Sequence, residues 1–159
     1  MTMAHGWLMA PFLVQGGAML LDEFWFHRRR GLGQWERLGH PLDTLTVLVC
    51  YAVVLWVPYS PTALAWYAGC AVFSMLFVTK DEFVHARACS AAEHWLHAVL
   101  FLLHPVTLAV AALIWMDVPS GVGAWRGVLV GTFVVVAAFG CYQLLYWNLW
   151  RGQKACLPE

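Results

Sequence analysis

Asp22-Glu23-Phe24-Trp25-Phe26-His27, followed after a short glycine-containing gap by Glu36-Arg37-Leu38-Gly39-His40, has a second copy further along the chain. The second copy is Asp81-Glu82-Phe83-Val84-His85, then a short gap, then Glu93-His94-Trp95-Leu96-His97. Each copy reads Asp-Glu-Phe, then His, then Glu-x-x-x-His. Of nine acids only Asp117 and Glu159 lie outside 22–43 and 81–104, and of seven histidines only His5 does. Elsewhere the chain is mostly apolar, so this clustering is the main clue to both fold and function.

The chain has 159 residues, of which 62% are hydrophobic and 11% charged, against about 25% charged in a soluble domain. Its mean hydropathy is +0.67, and the apolar residues come in long runs, as in an integral membrane protein. A formal net charge of zero gives no footprint for nucleic acid. The first apolar run has no Lys or Arg before Arg28 and meets Asp22 and Glu23 without a small-residue cleavage site, so it reads as a mature helix rather than a signal peptide. Cys50, Cys70, Cys89, Cys141 and Cys156 form no Cys-x-x-Cys pair. They read as small buried hydrophobes rather than a disulfide framework.

A membrane-spanning helix needs about 20 mostly apolar residues. On that rule the chain offers five spans: Met3 to Leu21, continuing as helix to the Arg28-Arg29-Arg30 turn; Gln34 to Val57; Thr62 to Val78; Ser90 to Met116; and Arg126 to Trp150. Pro58-Tyr59-Ser60-Pro61 is a turn, and Asp117–Trp125 reads as a loop. Arg28, Arg29, Arg30, Arg37, Lys80, Arg87, Arg151 and Lys154 fall on one side and Arg126 on the other. Positive-inside bias then puts the N-terminus outside and the C-terminus and the acid–histidine stretches toward the cytoplasm, as in a bacterial inner membrane. The expected fold is all-α, a polytopic membrane helical bundle in a single domain. Two repeated hairpins, 3–57 and 62–116, place four helices around a polar site, and a fifth helix, 126–151, packs outside it. Such parallel repeats give a pseudo-twofold axis along the membrane normal.

Residues four apart share a helix face. Each of the first four spans therefore offers a carboxylate–imidazole pair: Glu23 with His27, Glu36 with His40, Asp81 with His85, and Glu93 with His97. Asp22 and Glu82 break the match by one position, and Glu82 with His85 is an alternative to Asp81 with His85. Ionisable groups within a membrane protein are costly unless paired or bound, and mark function by default. Carboxylate and imidazole suit iron, manganese and zinc rather than copper(I), and eight ligands suit two ions. Asp22, Asp43, Glu82, His94 and His104 are expected as neighbours that orient the ligands. For His104 two readings stand side by side: a place on a substrate or proton path, or a bond to a backbone carbonyl freed near Pro105.

The stretches 22–43 and 81–97 resemble, at motif level, the di-iron and di-manganese carboxylate–histidine helical bundle proteins, in which facing helices supply inward Glu and His. That family uses Glu-x-x-His where this chain has Glu-x-x-x-His. The resemblance implies two metal ions, iron first, with manganese or zinc as alternatives. Haem ranks below these, since it has no need of carboxylates.

Simpler readings compete. Ser90-Ala91-Ala92-Glu93 has the form of a capping box, and helix-end acids and arginines can form interfacial ion pairs. Tyr142, Tyr146, Trp147 and Trp150 fit an interfacial aromatic belt, with a wall of a substrate entrance as the alternative. Gly16-Gly17 and Gly69 are expected to permit close helix packing. The leading functional expectation is a dinuclear oxidoreductase of the oxygenase or desaturase type. It would act on a lipid-like substrate arriving from the membrane, with an external electron donor and as a homodimer or within a larger assembly. A metal carrier or sensor, an accessory subunit, a zinc-dependent lipid hydrolase and a haem protein are the alternatives.

Overall fold

The computed structural model describes residues 7–117 and 123–150, and among these there is no strand. Helix α1 spans Ala10–Leu21 and runs on through a π-helical turn, Asp22–His27, into Arg28–Arg30. Gly31, at φ 77°, ends it. That left-handed conformation is open to glycine at no steric cost. α2 is Gln34–Trp56, and Glu36 reaches back to accept from the Gly33 N–H (3.0 Å), satisfying one orphan donor of the helix start. α3, Pro61–Val78, begins with Pro61 behind a Ser60 hydroxyl that accepts from the Ala63 N–H (3.1 Å). A 3₁₀ turn, Thr79–Asp81, joins it to α4, Glu82–Ala88. α5 is Ala91–Asp117, and α6 is Gly123–Leu145, ending in a second π-helical turn, Tyr146–Trp150.

Four helical segments are long and apolar enough to cross a membrane: Gln34–Trp56, Pro61–Ala88, Ala91–Met116 and Arg126–Trp150. The apolar part of α1 is twelve residues before Asp22, or about 18 Å of rise. The segment Met3–Gly6 expected to extend it lies outside the described residues, as does most of the loop expected over Asp117–Trp125, and so do Arg151, Lys154 and Cys156. The helices turn large apolar side chains outward, Trp66 and Leu102 being more than 70% exposed. That is the surface a bilayer would cover.

The apolar core occupies the end away from the acid–histidine stretches. Tyr51, Val54, Tyr67, Leu108, Ile114 and Trp115 pack there, with the Tyr67 hydroxyl donating to Leu108 O (2.6 Å) and the Trp115 indole N–H to Val57 O (2.9 Å). α1 packs on α5, and α2 packs on α3 and α6. The fifth long helix, α6, therefore does not stand outside the bundle: its pairing with α2 is the most extensive in the molecule.

One close approach fixes that pairing: a Cβ on Gly140 would meet Thr44 Cγ2 at 2.8 Å. Another holds α2 against the turn after α3, where a Cβ on Gly39 would meet Asp81 Oδ1 at 3.0 Å. The glycines expected to do this behave differently: a Cβ on Gly16, Gly17 or Gly69 would meet nothing within 4 Å. Pro41, inside α2, cannot donate to the carbonyl four residues back. That carbonyl, Arg37 O, accepts instead from Asn148 Nδ2 on α6 (3.1 Å).

Candidate metal centre

The bundle brings His27, His40, His85 and His97 into one ring of imidazoles. Successive centroid distances are 4.8 Å (His27–His40), 6.0 Å (His40–His85), 4.2 Å (His85–His97) and 6.1 Å (His97–His27). All but His40 are at most 4% exposed. Carboxylates surround the ring. Asp22 lies 3.2 Å from His27 Nε2 and 3.0 Å from His97 Nε2, and Glu93 lies 3.9 Å from His27 Nε2. Glu36 lies 3.4 Å from His85 Nε2, and Asp81 lies 3.9 Å from His40 Nδ1.

The π-helical turn decides which acid joins the ring. The first copy, Asp-Glu-Phe-Trp-Phe-His, has one residue more than the second, Asp-Glu-Phe-Val-His. Over Asp22–His27 the helix widens, and a π-turn brings residues five apart onto one face. Asp22 and His27 thus meet. Glu23 still reaches His27, but at the other ring nitrogen, Nδ1 (3.4 Å). Its second oxygen is held from α6, accepting from the Trp147 indole N–H (2.6 Å) and the Tyr142 hydroxyl (3.2 Å). Asp22, expected only as a neighbour, therefore sits among the ring atoms, and Glu23 stands behind His27.

Groups whose ligand atoms lie within 4.8 Å of one another follow from this. One is Asp22, His27, Glu93 and His97, all buried. Others are Glu36, His40 and His85; His40, Asp43 and Asp81; and His85, Cys89 and His97. Burial, then the neighbouring Glu93 carboxylate, pushes the Cys89 thiol up to about 12, a proton that a bound cation would have to displace.

Two basic side chains enter the cluster. Arg30 grips Glu36 through two nitrogens (2.7 and 3.0 Å) and reaches Glu93 with a third (3.1 Å). Burial opposes the charge on Arg30, but the Glu36 and Glu93 carboxylates outweigh it and hold the guanidinium above its ordinary value. Lys80 bridges Asp43 (2.7 Å) and Asp81 (3.0 Å). Of the six carboxylates in the cluster (Asp22, Glu23, Glu36, Asp43, Asp81, Glu93), Glu36 and Glu93 meet Arg30 and Asp43 and Asp81 meet Lys80, while Asp22 and Glu23 meet only imidazoles among these basic groups. Divalent ions or protonated imidazoles are the two ways such an excess of acids can be balanced.

His40 Nε2, His85 Nδ1, His97 Nδ1 and Asp81 Oδ1 are buried without a hydrogen-bond partner, while His27 Nε2 and His85 Nε2 meet the Asp22 and Glu36 carboxylates at 3.2 and 3.4 Å without hydrogen-bond geometry. A protonated imidazole donates from both nitrogens, and unsatisfied buried donors are expensive. Imidazoles converging with carboxylates are also a donor set that a hard or borderline cation could use.

Of the remaining expected residues, Glu82 and His94 pair with each other, with side chains 39% and 44% exposed, away from the ring. The capping form of Ser90–Glu93 is only half used: Ser90 Oγ accepts from the Glu93 N–H (3.3 Å), while the Glu93 carboxylate turns to Arg30. His104 bonds Ser74 Oγ (3.0 Å), which continues to Thr46 (2.7 Å). It lines a cavity of about 720 Å³ that has the imidazole ring at one end and apolar walls from α1, α2, α5 and α6.

Trp147, Tyr142, Arg30 and Lys80 belong to the cluster and were not foreseen in it. Trp147 was expected in an interfacial belt, yet it is 1% exposed. The only sequence signal for Arg30 and Lys80 is their place beside the acids. Comparison of the chain with protein-family models, curated proteins and solved structures finds no match. What fold and cluster define is a class: an all-helical chain with four helices able to span a membrane and a buried carboxylate–imidazole centre that can bind metal.

Proposed function

We propose that this chain is an integral membrane protein whose cluster holds two metal ions, iron by preference, and oxidises a hydrophobic substrate. The observation that carries the proposal is the buried convergence of four imidazoles with their carboxylates, His40 Nε2, His85 Nδ1 and His97 Nδ1 lacking a hydrogen-bond partner, at the polar end of an otherwise apolar cavity. In this reading one ion sits among Asp22, His27, Glu93 and His97, and the other among Asp81, His85, Glu36 and His40. Each site then combines the Asp–His end of one hairpin with the Glu–His start of the other, as a pseudo-twofold repeat would arrange them. Supporting distances are the 3.0–3.9 Å carboxylate–imidazole contacts.

With α1 counted as a fifth span, the basic residues Arg28, Arg29, Arg30, Arg37, Lys80 and Arg87 at the cluster end favour a site near the cytoplasmic face. A bound dinuclear centre would supply oxygen activation, with electrons from an external donor. The protein's own residues do the rest. Glu23 holds His27 by Nδ1, Arg30 and Lys80 set the charge of the cluster, and the apolar walls keep water from the reacting end.

The test is elemental analysis of detergent-purified protein with an optical spectrum of the same sample. The expected result is about two ions per chain, as in other dinuclear bundles, without a haem band, and loss of one or both in His40→Ala and His97→Ala. The 3.0–3.4 Å approach of Asp22 and Glu36 to ring nitrogens favours one competing reading, a metal-free network of imidazolium ion pairs. Protein that contains no stoichiometric metal and takes none up would establish that network and overturn the oxidoreductase.

A further inference from the structure

We infer that the seam between α1 and α6 seats one hydrocarbon chain of a membrane lipid with an anionic polar end, its first carbons lying beside the imidazole ring. Both helices line the cavity, yet each packs mainly on another partner, α1 on α5 and α6 on α2. The cavity reaches the outer surface along this seam. Leu13 and Val135 line it and are each 68% exposed. Gly16 and Gly17 on one side and Gly131 on the other also line it, and a Cβ on any of them would meet nothing within 4 Å. A glycine inside a helix costs about 0.5–1 kcal/mol relative to alanine. No partner helix approaches these three, so their effect is to keep the seam wide.

The length of the seam fits its occupant. From Met9 to Asp22, both lining residues, the helix rises about 20 Å. One leaflet of hydrocarbon is about 15 Å deep, half of a bilayer core. A surface opening at that depth faces acyl chains, and the walls offer an entering chain apolar contact until it meets His27, His85 and His97. His85 Nδ1 and His97 Nδ1 are buried there without a hydrogen-bond partner, which marks this end as the place where something else is to be met.

The polar end of the lipid has its own anchor at the same level. Arg28 and Arg29 are exposed just beyond the ring, held over aromatic faces at Phe24, Tyr146 and Trp25 (4.7, 5.0 and 3.4 Å to the ring centroids). An anionic headgroup placed there orients the chain inward, carboxyl or phosphate end nearest the ring. The proposed function supplies the chemistry done on the chain; the seat itself rests on the cavity alone.

The probe is stearate carrying ¹³C at C2 or at C18, added to the detergent-purified protein loaded with manganese(II). Paramagnetic broadening should be several-fold greater at C2 than at C18. It should vanish at both in the double variant Gly16→Leu, Gly131→Leu with bound manganese unchanged, and persist in Gly69→Leu, whose site is equally open but outside the cavity. Equal or reversed broadening, or broadening that survives the double variant, overturns the inference. If the protein takes up no manganese, retention of radiolabelled stearate by the metal-free protein decides the seat: loss of at least tenfold in the double variant supports it, and unchanged retention overturns it, whatever the metal content of the purified protein says of the dinuclear reading.

Discussion

Replacing Trp147 with phenylalanine removes one hydrogen bond and keeps most of an aromatic plug. The indole N–H sits 2.6 Å from Glu23 Oε1, and both residues are 1% exposed. A hydrogen bond to a charged group contributes about 1.5–3 kcal/mol. Glu23 Oε1 keeps its bond from Tyr142 at 3.2 Å, so it is not orphaned, and the hydrogen-bond loss should fall near the middle of that range, about 2 kcal/mol. The smaller ring adds a packing loss of similar kind to other large-to-small changes. A double-mutant cycle with Glu23→Leu, which removes the acceptor, separates the two, because the packing loss cancels. The expected coupling is about 1.5–2 kcal/mol, read from unfolding in mixed detergent micelles followed by circular dichroism. A second readout follows from Glu23 holding His27 by Nδ1 (3.4 Å): loss of such a support typically weakens metal binding about 10–100-fold. Effects that add to within about 0.5 kcal/mol, as for unconnected sites, would refute a Trp147–Glu23–His27 relay.

Other expectations are direct. Arg30→Gln should destabilise the metal-free protein by about 3 kcal/mol, the lower end for breaking a buried pair, because Arg30 is 19% exposed on its side chain while Glu36 is 1%; added metal should narrow the difference in thermal midpoint, and an unchanged gap would argue against cations sharing those carboxylates. Gly16→Ala and Gly140→Ala should move stability in opposite directions. The first should gain about 0.5–1 kcal/mol and the second lose about 1–3 kcal/mol to overpacking, since its Cβ would lie 2.8 Å from Thr44. Asn148→Leu should cost about 1 kcal/mol, the worth of an ordinary hydrogen bond, by leaving Arg37 O without its donor; the same substitution paired with Pro41→Ala should cost less.

Helix content and the convergence of His27, His40, His85 and His97 were legible because both follow from local rules: apolar runs of spanning length and residues four apart on one face. Glu36, Asp81 and Glu93 arrive with them for the same reason. What local rules miss is backbone irregularity and tertiary choice. Four-residue spacing paired Glu23 with His27, and the two do meet, at Nδ1, but a π-turn brings in Asp22 as well, and no periodicity of side chains announces a widened turn. Gly16-Gly17 and Gly140 look alike on paper, yet only Gly140 faces a neighbouring helix; which glycine touches a partner depends on how helices rotate against each other. Trp147 sits among interfacial aromatics in the sequence, and only the packing of α6 on α2 buries it against Glu23.

The extra residue between Asp22 and His27 also works as a phase setting for everything before it. An α-helix turns about 100° and rises about 1.5 Å per residue. Deleting Trp25 or Phe26 would let the turn close to ordinary helix and leave the second copy's spacing in the first. The upstream part of α1 would then have to swing by roughly that angle, or Asp22 would have to leave the ring. The wall carrying Gly16 and Gly17 could not keep its aspect toward α6 while Asp22 and His27 kept theirs toward His97. One inserted residue thereby gears the side entrance to the polar centre, so that neither can be re-aimed without the other.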